Sequence, residues 1–228
     1  MALRRLSMIL VVAAASNCVL RAAPNVDSEG VAGASAVRAK VRADKGSIVF
    51  TLGKSEAKLT TSGLDSEPVI SPDGAKVAFV RTPKAKPIET AQGEADATEI
   101  WMVSVDGTGA VLVVASREHD KPEEILAGFG NLRFSLDGKT LYFTSAAWTT
   151  SSALKALDLA TGKVRHVGPS NGFEILAKGK HKGQFVNFEH TYGPDGAEDK
   201  CWLMSPGGRN IRSVGEDLEN AVRRLEKE

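Results

Sequence analysis

Cysteine is almost absent from this chain. Of 228 residues only Cys18 and Cys201 are cysteines, and aromatic residues make up just 6%. Two cysteines cannot build the disulfide framework that stabilises small secreted folds. An excess of charge of either sign is also missing. Twenty-nine Lys and Arg against 28 Asp and Glu give a net charge of +1. Without a basic stripe, nucleic-acid binding is not expected. Beyond the first 20 residues no apolar run approaches the roughly 20 residues of a membrane-spanning helix. The four histidines, His119, His166, His181 and His190, show no His-Glu-x-x-His or paired spacing. No Gly-x-Ser-x-Gly elbow is present either, since Gly33-Ala34-Ser35-Ala36-Val37 lacks the final glycine. No metal, no cofactor and no catalytic residues are therefore expected.

The first 22 residues read as a secretory signal peptide. Arg4 and Arg5 supply a positive start, residues 8–15 an apolar run, and small residues follow up to Ala22. Cleavage there would remove Arg4, Arg5 and Arg21 and no acid, changing the charge from +1 to −2. A periplasmic or secreted location is the expectation. Lipidation at Cys18 fits poorly, because Asn17 stands directly before it. Residues 23–45 are rich in Ala, Ser, Gly and charge, and read as a flexible lead-in or extra strands.

What the chain does have is a repeat. Ser71-Pro72-Asp73-Gly74 returns as Ser135-Leu136-Asp137-Gly138 and, worn, as a copy ending in Gly183. Phe79, Phe143 and Phe188 each follow the last glycine by five residues. Proline presets the turn, aspartate bonds the backbone two residues on, and glycine closes it. A second landmark agrees: Trp101, Ala156 and Trp202 each precede a hairpin glycine (Gly107, Gly162, Gly208) by six residues. On that count Trp101 and Trp202 occupy equivalent core positions. A unit of four short strands and about 40–50 residues is a propeller blade. The reading is a hairpin at 46–62, blades at 67–115, 131–168 and 172–215, and a helix at 216–228 with Leu218, Val222 and Leu225 on one face. The stretches 82–98, 116–130 and 192–200 read as solvated loops, the last capped by the out-of-register Gly193-Pro194-Asp195-Gly196.

The Ser-x-Asp-Gly-x-x-x-x-Phe turn, followed by Ile100-Trp101-Met102-Val103 and the Asp106-Gly107 hairpin, resembles the TolB-like, WD-type β-propeller repeat. The resemblance covers roughly residues 46–214. It implies an all-β fold, a small or partial β-propeller of four-stranded antiparallel blades with a short C-terminal helix. Family propellers have more blades than this chain supplies. Residues 31–43 completing a small ring, the helix covering an open arc, or two arcs pairing are the three outcomes, with a closed or nearly closed ring favoured. The resemblance further implies a non-catalytic module of the cell envelope that binds a protein or envelope component.

Asp73, Gly74, Asp137, Gly138 and Gly183 are turn residues on this reading rather than acid–base machinery. Trp148, in the Ser/Thr-rich stretch 145–152, is a candidate contact residue. His119, beside Asp120 and close to Glu123 and Glu124, and the pair Glu189-His190 near Tyr192 are further contact candidates. The alternative is a small-ligand-binding or hydrolytic propeller in which His119, His190 and neighbouring acids meet at the mouth of the central channel.

Overall fold

The computed structural model describes residues 39–193 and 196–228. The signal peptide, Cys18, most of the lead-in and the Pro194-Asp195 pair lie outside these residues.

Four antiparallel sheets follow one another along the chain. The first contains β1 (Lys40–Asp44), β2 (Ser47–Leu52) and β3 (Ser55–Lys58). The second has β4 (Asp65–Ile70) and β5 (Lys76–Arg81). After a separate hairpin of β6 (Ile88–Thr90) and β7 (Gly93–Ala95), it is completed by β8 (Glu99–Ser104) and β9 (Val111–Val114). The third contains β10 (Gly130–Phe134), β11 (Thr140–Trp148), β12 (Ser151–Asp158) and β13 (Val164–Ser170). The fourth contains β14 (Gly172–Ile175), β15 (Phe185–Gly193), β16 (Gly196–Met204) and β17 (Asn210–Gly215), and α1 (Leu218–Leu225) follows it. Each full sheet has its strands in chain order, and its outer strand leads to the inner strand of the next. Because β3 leads to β4 in the same way, the described strands of the first sheet are the outer three of a blade. Part of the lead-in is thus strand: β1 pairs with β2 from Lys40↔Thr51 to Asp44↔Ser47.

Period-two alternation gives each blade two apolar faces. Ala78, Val80, Ile100 and Met102 of the first full blade pack on Leu132, Leu141, Phe143 and Leu157 of the second. The opposite face of that second blade places Tyr142, Leu154 and Ala156 against Phe173, Phe185 and Met204 of the third. The Tyr142 and Phe185 rings meet edge to face at 4.6 Å. Ile48, from the first sheet, packs with Val77 and Phe79.

The two flanks are finished differently. On the far side of the last blade, α1 lays Leu218, Ala221, Val222 and Leu225 over Val186, Cys201 and Leu203. Asp217 caps the helix by accepting the Asn220 N–H at 2.7 Å. On the outer face of the first sheet, Arg42, Val49 and Lys58 are cross-strand neighbours. Arg42 forks onto Glu56 at 3.0 and 3.1 Å, giving that flank a charged surface over buried Val49. Among the described residues no core cluster joins the first sheet to the last blade or to α1. Residues 31–38, on which the closed or nearly closed ring expected from sequence also draws, lie outside the described residues. By themselves the described residues form an open arc whose end faces are covered, as in a capped repeat array.

Strand pairing also corrects the tryptophan landmark. Phe79 pairs with Trp101, whereas Phe143 pairs with Lys155 and Phe188 with Cys201. The first blade's hairpin reaches its glycine one residue sooner, and a one-residue slip turns a side chain to the other face. Trp101 is thus equivalent to Lys155 and Cys201, and Trp202 to Ala156. The expected loops change too. Residues 82–98 contain the β6–β7 hairpin, and buried Ile88 and Ala97 pack there with Ile125 and Ala127 from the other insertion. Trp148 ends β11, and residues 196–200 belong to β16.

Candidate interaction face at the connection end

Each blade sends two kinds of connection to the same end of the arc: second strand to third, and outer strand to the next inner strand. The opposite end carries the repeated turns. There Asp73 accepts from the Ser71 hydroxyl at 2.5 Å and the Ala75 N–H at 3.0 Å. Asp137 accepts from the Ser135 hydroxyl at 2.6 Å and the Lys139 N–H at 3.1 Å. The serine hydroxyls hold both carboxyls below the usual aspartate range, with the N–H donors adding to the effect. Gly74 and Gly138 donate N–H to Ser71 O and Ser135 O, and Gly183 donates to Leu176 O at 2.8 Å.

The connection end is built around the second full blade. Lys155, in the apolar run of β12, is 1% exposed, and its ammonium donates to the carbonyl of Glu123 in the 3-10 turn Pro122–Glu124. Burial lowers the pKa of Lys155. Glu124 and Glu123 push it back up, and Arg117 adds to the lowering. The Ser145 hydroxyl lies 3.0 Å from Ile125 O and accepts the Ala127 N–H at 3.1 Å. The Phe129 N–H donates to the Thr98 hydroxyl at 2.8 Å, and the Thr149 hydroxyl to Ala91 O at 3.2 Å. Both insertions are thereby fastened to the second full blade and to each other. Lys155, Ser145 and Thr98 thus have partners that offset their desolvation, whereas the buried Nδ1 of His166, beside Lys155 on the neighbouring strand, has none.

The inner strands are stitched across the axis side. Glu67 and Asn131 take left-handed backbone angles (φ 47° and 52°) within the irregular stretches of β4 and β10. The Glu67 carboxylate accepts the Asn131 N–H at 2.9 Å. Arg133 forks onto Glu174 at 2.7 and 3.2 Å. Between the first two full blades, a cavity of about 350 Å³ is lined by Glu67, Asp96, Gln92, Thr98 and Ser152 among others.

The four contact candidates belong to this end but do not form one site. His119 is exposed, and its Nδ1 accepts the Lys121 N–H at 3.0 Å, which is local turn chemistry. Trp148 is half-buried with its ring 5.8 Å from that of His166. Burial lowers the His166 pKa, with the nearby Lys155 charge next in effect. Glu189 is 7% exposed, and burial raises its carboxyl pKa. His190 lies farther along the same hairpin, 2.7 Å from Asp199 and edge-on to the Tyr192 ring at 5.0 Å. Tyr192 is 68% exposed, the most exposed large apolar side chain among the described residues. The histidines engage separate partners rather than a common set of acids. Among the described residues no group of three or more His, Cys, Asp or Glu is arranged to hold a metal ion.

Reading the sequence missed Lys155, Glu67 and the length of the β15–β16 hairpin. Aligning third strands by their pairing to phenylalanine would have marked Lys155 as a charge in a core position. Nothing in the sequence marks Glu67, whose placement depends on an irregular strand.

No protein-family model matches the chain, and no curated protein sequence does. Its fold is similar to that of dipeptidyl peptidase 4 from Porphyromonas gingivalis, with TM-score 0.54 and 12% identity over 78% of this chain and 31% of that one. It is similar to an oligogalacturonate lyase in complex with manganese, with TM-score 0.50 and 15% identity over 75% and 42%. TolB from Acinetobacter baumannii aligns with TM-score 0.39 and 12% identity over 78% and 52%. The chain thus spans about a third to a half of the length of these proteins. Together with the four-stranded blades, the first two matches show a β-propeller fold, of which the described residues supply three full blades and three strands of a fourth.

Proposed function

We propose that the chain is an exported, non-catalytic binding module of the cell envelope whose connection end contacts a protein or envelope component. The observation that carries this reading is the construction of that end: the Lys155 and Ser145 anchors hold the 116–129 connection in place, and the third blade sends to the same end an extended hairpin bearing exposed Tyr192. Rigidly held, exposed loops with an aromatic group are the usual material of a contact surface. The leader-like first 22 residues support export. Among the described residues no helix is long and apolar enough to cross a membrane.

The test places a photo-reactive amino acid at Tyr192, at Thr149 and, on the opposite end, at Leu136. Irradiation in envelope extracts should give a discrete adduct from the first two positions and none from Leu136. Adducts of equal yield from both ends, or none at all, would overturn the reading.

A further inference from the structure

The seam between the second and third full blades contains a buried acceptor and a buried donor that lack partners. Asn187 of β15 is fully buried, and its Nδ2 donates to Pro169 O of β13 at 3.0 Å. A backbone carbonyl only accepts, so this bond fixes the amide's orientation and turns Oδ1 away from Pro169. That oxygen is buried without a hydrogen-bond partner, as is Nε1 of Trp202. Leaving such groups unpaired opposes folding.

Glu189, itself 7% exposed, is placed to serve both. Trp202 pairs with Asn187 across the strands, and Glu189 follows Asn187 by two residues, so the three side chains share one face of the blade. On that face Phe185 and Met204 pack against Tyr142, Leu154 and Ala156 of the second blade. Two residues along a strand span roughly 6.6 Å, a gap that a glutamate reaching toward an asparagine closes. A carboxylate only accepts, and would set its lone pairs against those of Asn187 Oδ1. A carboxylic acid donates its O–H to Oδ1 and accepts the Trp202 N–H at its carbonyl, which satisfies both groups.

The charged groups facing this seam are engaged elsewhere. Lys200, the cross-strand partner of Glu189, gives its ammonium to Glu198 at 2.8 Å. From the second blade, Arg133 is held by Glu174 at 2.7 Å, and Arg165 donates to Pro206 O at the turn end. Asp158 accepts within its own turn, and Tyr142 lies against the Phe185 ring. α1 covers the opposite face of the last blade. Burial raises the Glu189 pKa, and the Trp202 N–H and then Lys200 bring it back only in part.

We propose that Glu189 holds a proton in this seam as a pH latch: its carboxylic acid bonds Asn187 Oδ1 and the Trp202 N–H, and release of the proton to solvent loosens the β15–β16 hairpin that carries Tyr192. With its pKa raised above the ordinary 4.5, the folded chain keeps the proton where the unfolded chain has lost it. Stability from this group is fully present below 4.5 and is lost as pH rises through the folded-state value. The latch is read without any partner, so it stands or falls independently of the proposed function.

The full chain is followed by infrared spectroscopy and amide exchange across about pH 5–8. A carboxylic-acid carbonyl band should persist above the usual glutamate range and be missing from Glu189→Gln. Glutamine keeps both bonds without titrating. As the wild-type band fades, protection of the β15 and β16 amides, corrected for the intrinsic pH dependence of exchange, should fall about tenfold relative to Glu189→Gln. Trp202→Phe removes a donor that favours the ionised form, and should move the loss of the band to higher pH. No acid band that Glu189→Gln removes, or hairpin protection with the same pH profile in wild type and Glu189→Gln, would overturn the proposal. So would a Trp202→Phe band that fades at the wild-type pH.

Discussion

Gly179 faces the carbonyl of Leu225 so closely that a Cβ added to it would lie 2.8 Å from the Leu225 oxygen. Ala177 N–H donates to the Glu226 carboxylate at 3.0 Å in the same corner. Lys178 lies 3.7 Å from Glu226, and Lys180 lies 2.8 Å from Glu228. This accounts for the missing aspartate turn of the last blade: the segment is shaped to receive the end of α1. Gly179 also has φ +77°, a conformation open chiefly to glycine.

Gly179→Ala should therefore cost about 2–3 kcal/mol, from backbone strain plus the displaced helix end. Gly183→Ala is the control. Its φ is +84° but nothing lies within 4 Å, so only the conformational penalty of about 1 kcal/mol applies. Urea unfolding of both variants checks the order. Equal losses would remove the docking argument.

Lys155 gives a pH signature. Burial depresses its folded-state pKa below 10.5, so between that depressed value and 10.5 the unfolded chain binds the extra proton. Stability from this group must then rise with pH across the window, and below it the cost of burying the charge is fully present. Urea midpoints measured between about pH 7 and pH 10 should climb in the wild type relative to Lys155→Met. Parallel curves would mean that Lys155 is not a buried charge.

The 2%-exposed Asp65 is held by Arg81 at 2.6 and 3.1 Å, and Arg81 lies 4.4 Å from the Trp101 ring. Asp65→Asn leaves a part-buried guanidinium without its counter-charge, and should cost about 3–5 kcal/mol. The double variant Asp65→Asn, Arg81→Met should recover part of that loss in denaturant unfolding, since the orphaned charge is gone. A double variant no more stable than the single would contradict the pairing.

Leu225, the last residue of α1, is fully buried on the face that packs on the last blade. Leu225→Ala should cost about 2–5 kcal/mol and raise hydrogen exchange selectively in α1 and in strands β15 and β16. Uniform exchange across all blades would instead indicate global loosening.

The repeat was legible because turn chemistry is local: Ser71, Asp73 and Gly74 act within six residues of one another, as do Ser135, Asp137 and Gly138. The helix was legible from the spacing of Leu218, Val222 and Leu225. Lys155 was hidden because its meaning depends on register. A one-residue difference in hairpin length moved Trp202 off the position of Trp101 and put a lysine there. The open arc was hidden for another reason. Covering a flank needs only a charged strand face or one amphipathic helix, and neither differs in sequence from an ordinary surface. The 82–98 and 116–130 stretches looked solvated because Ile88, Ala97, Ile125 and Ala127 are widely scattered in sequence and meet only in the folded chain.

The most direct test of the capped open arc is a distance test between its two flanks. Cysteines replacing Lys58 and Arg223 in a Cys18→Ser, Cys201→Ser background, treated with a short bis-maleimide, should give no intramolecular cross-link. The pair replacing Lys178 and Glu226, side chains 3.7 Å apart, should cross-link readily. An efficient Lys58–Arg223 cross-link in the monomer would show that the first sheet and α1 meet, and would contradict the open arc.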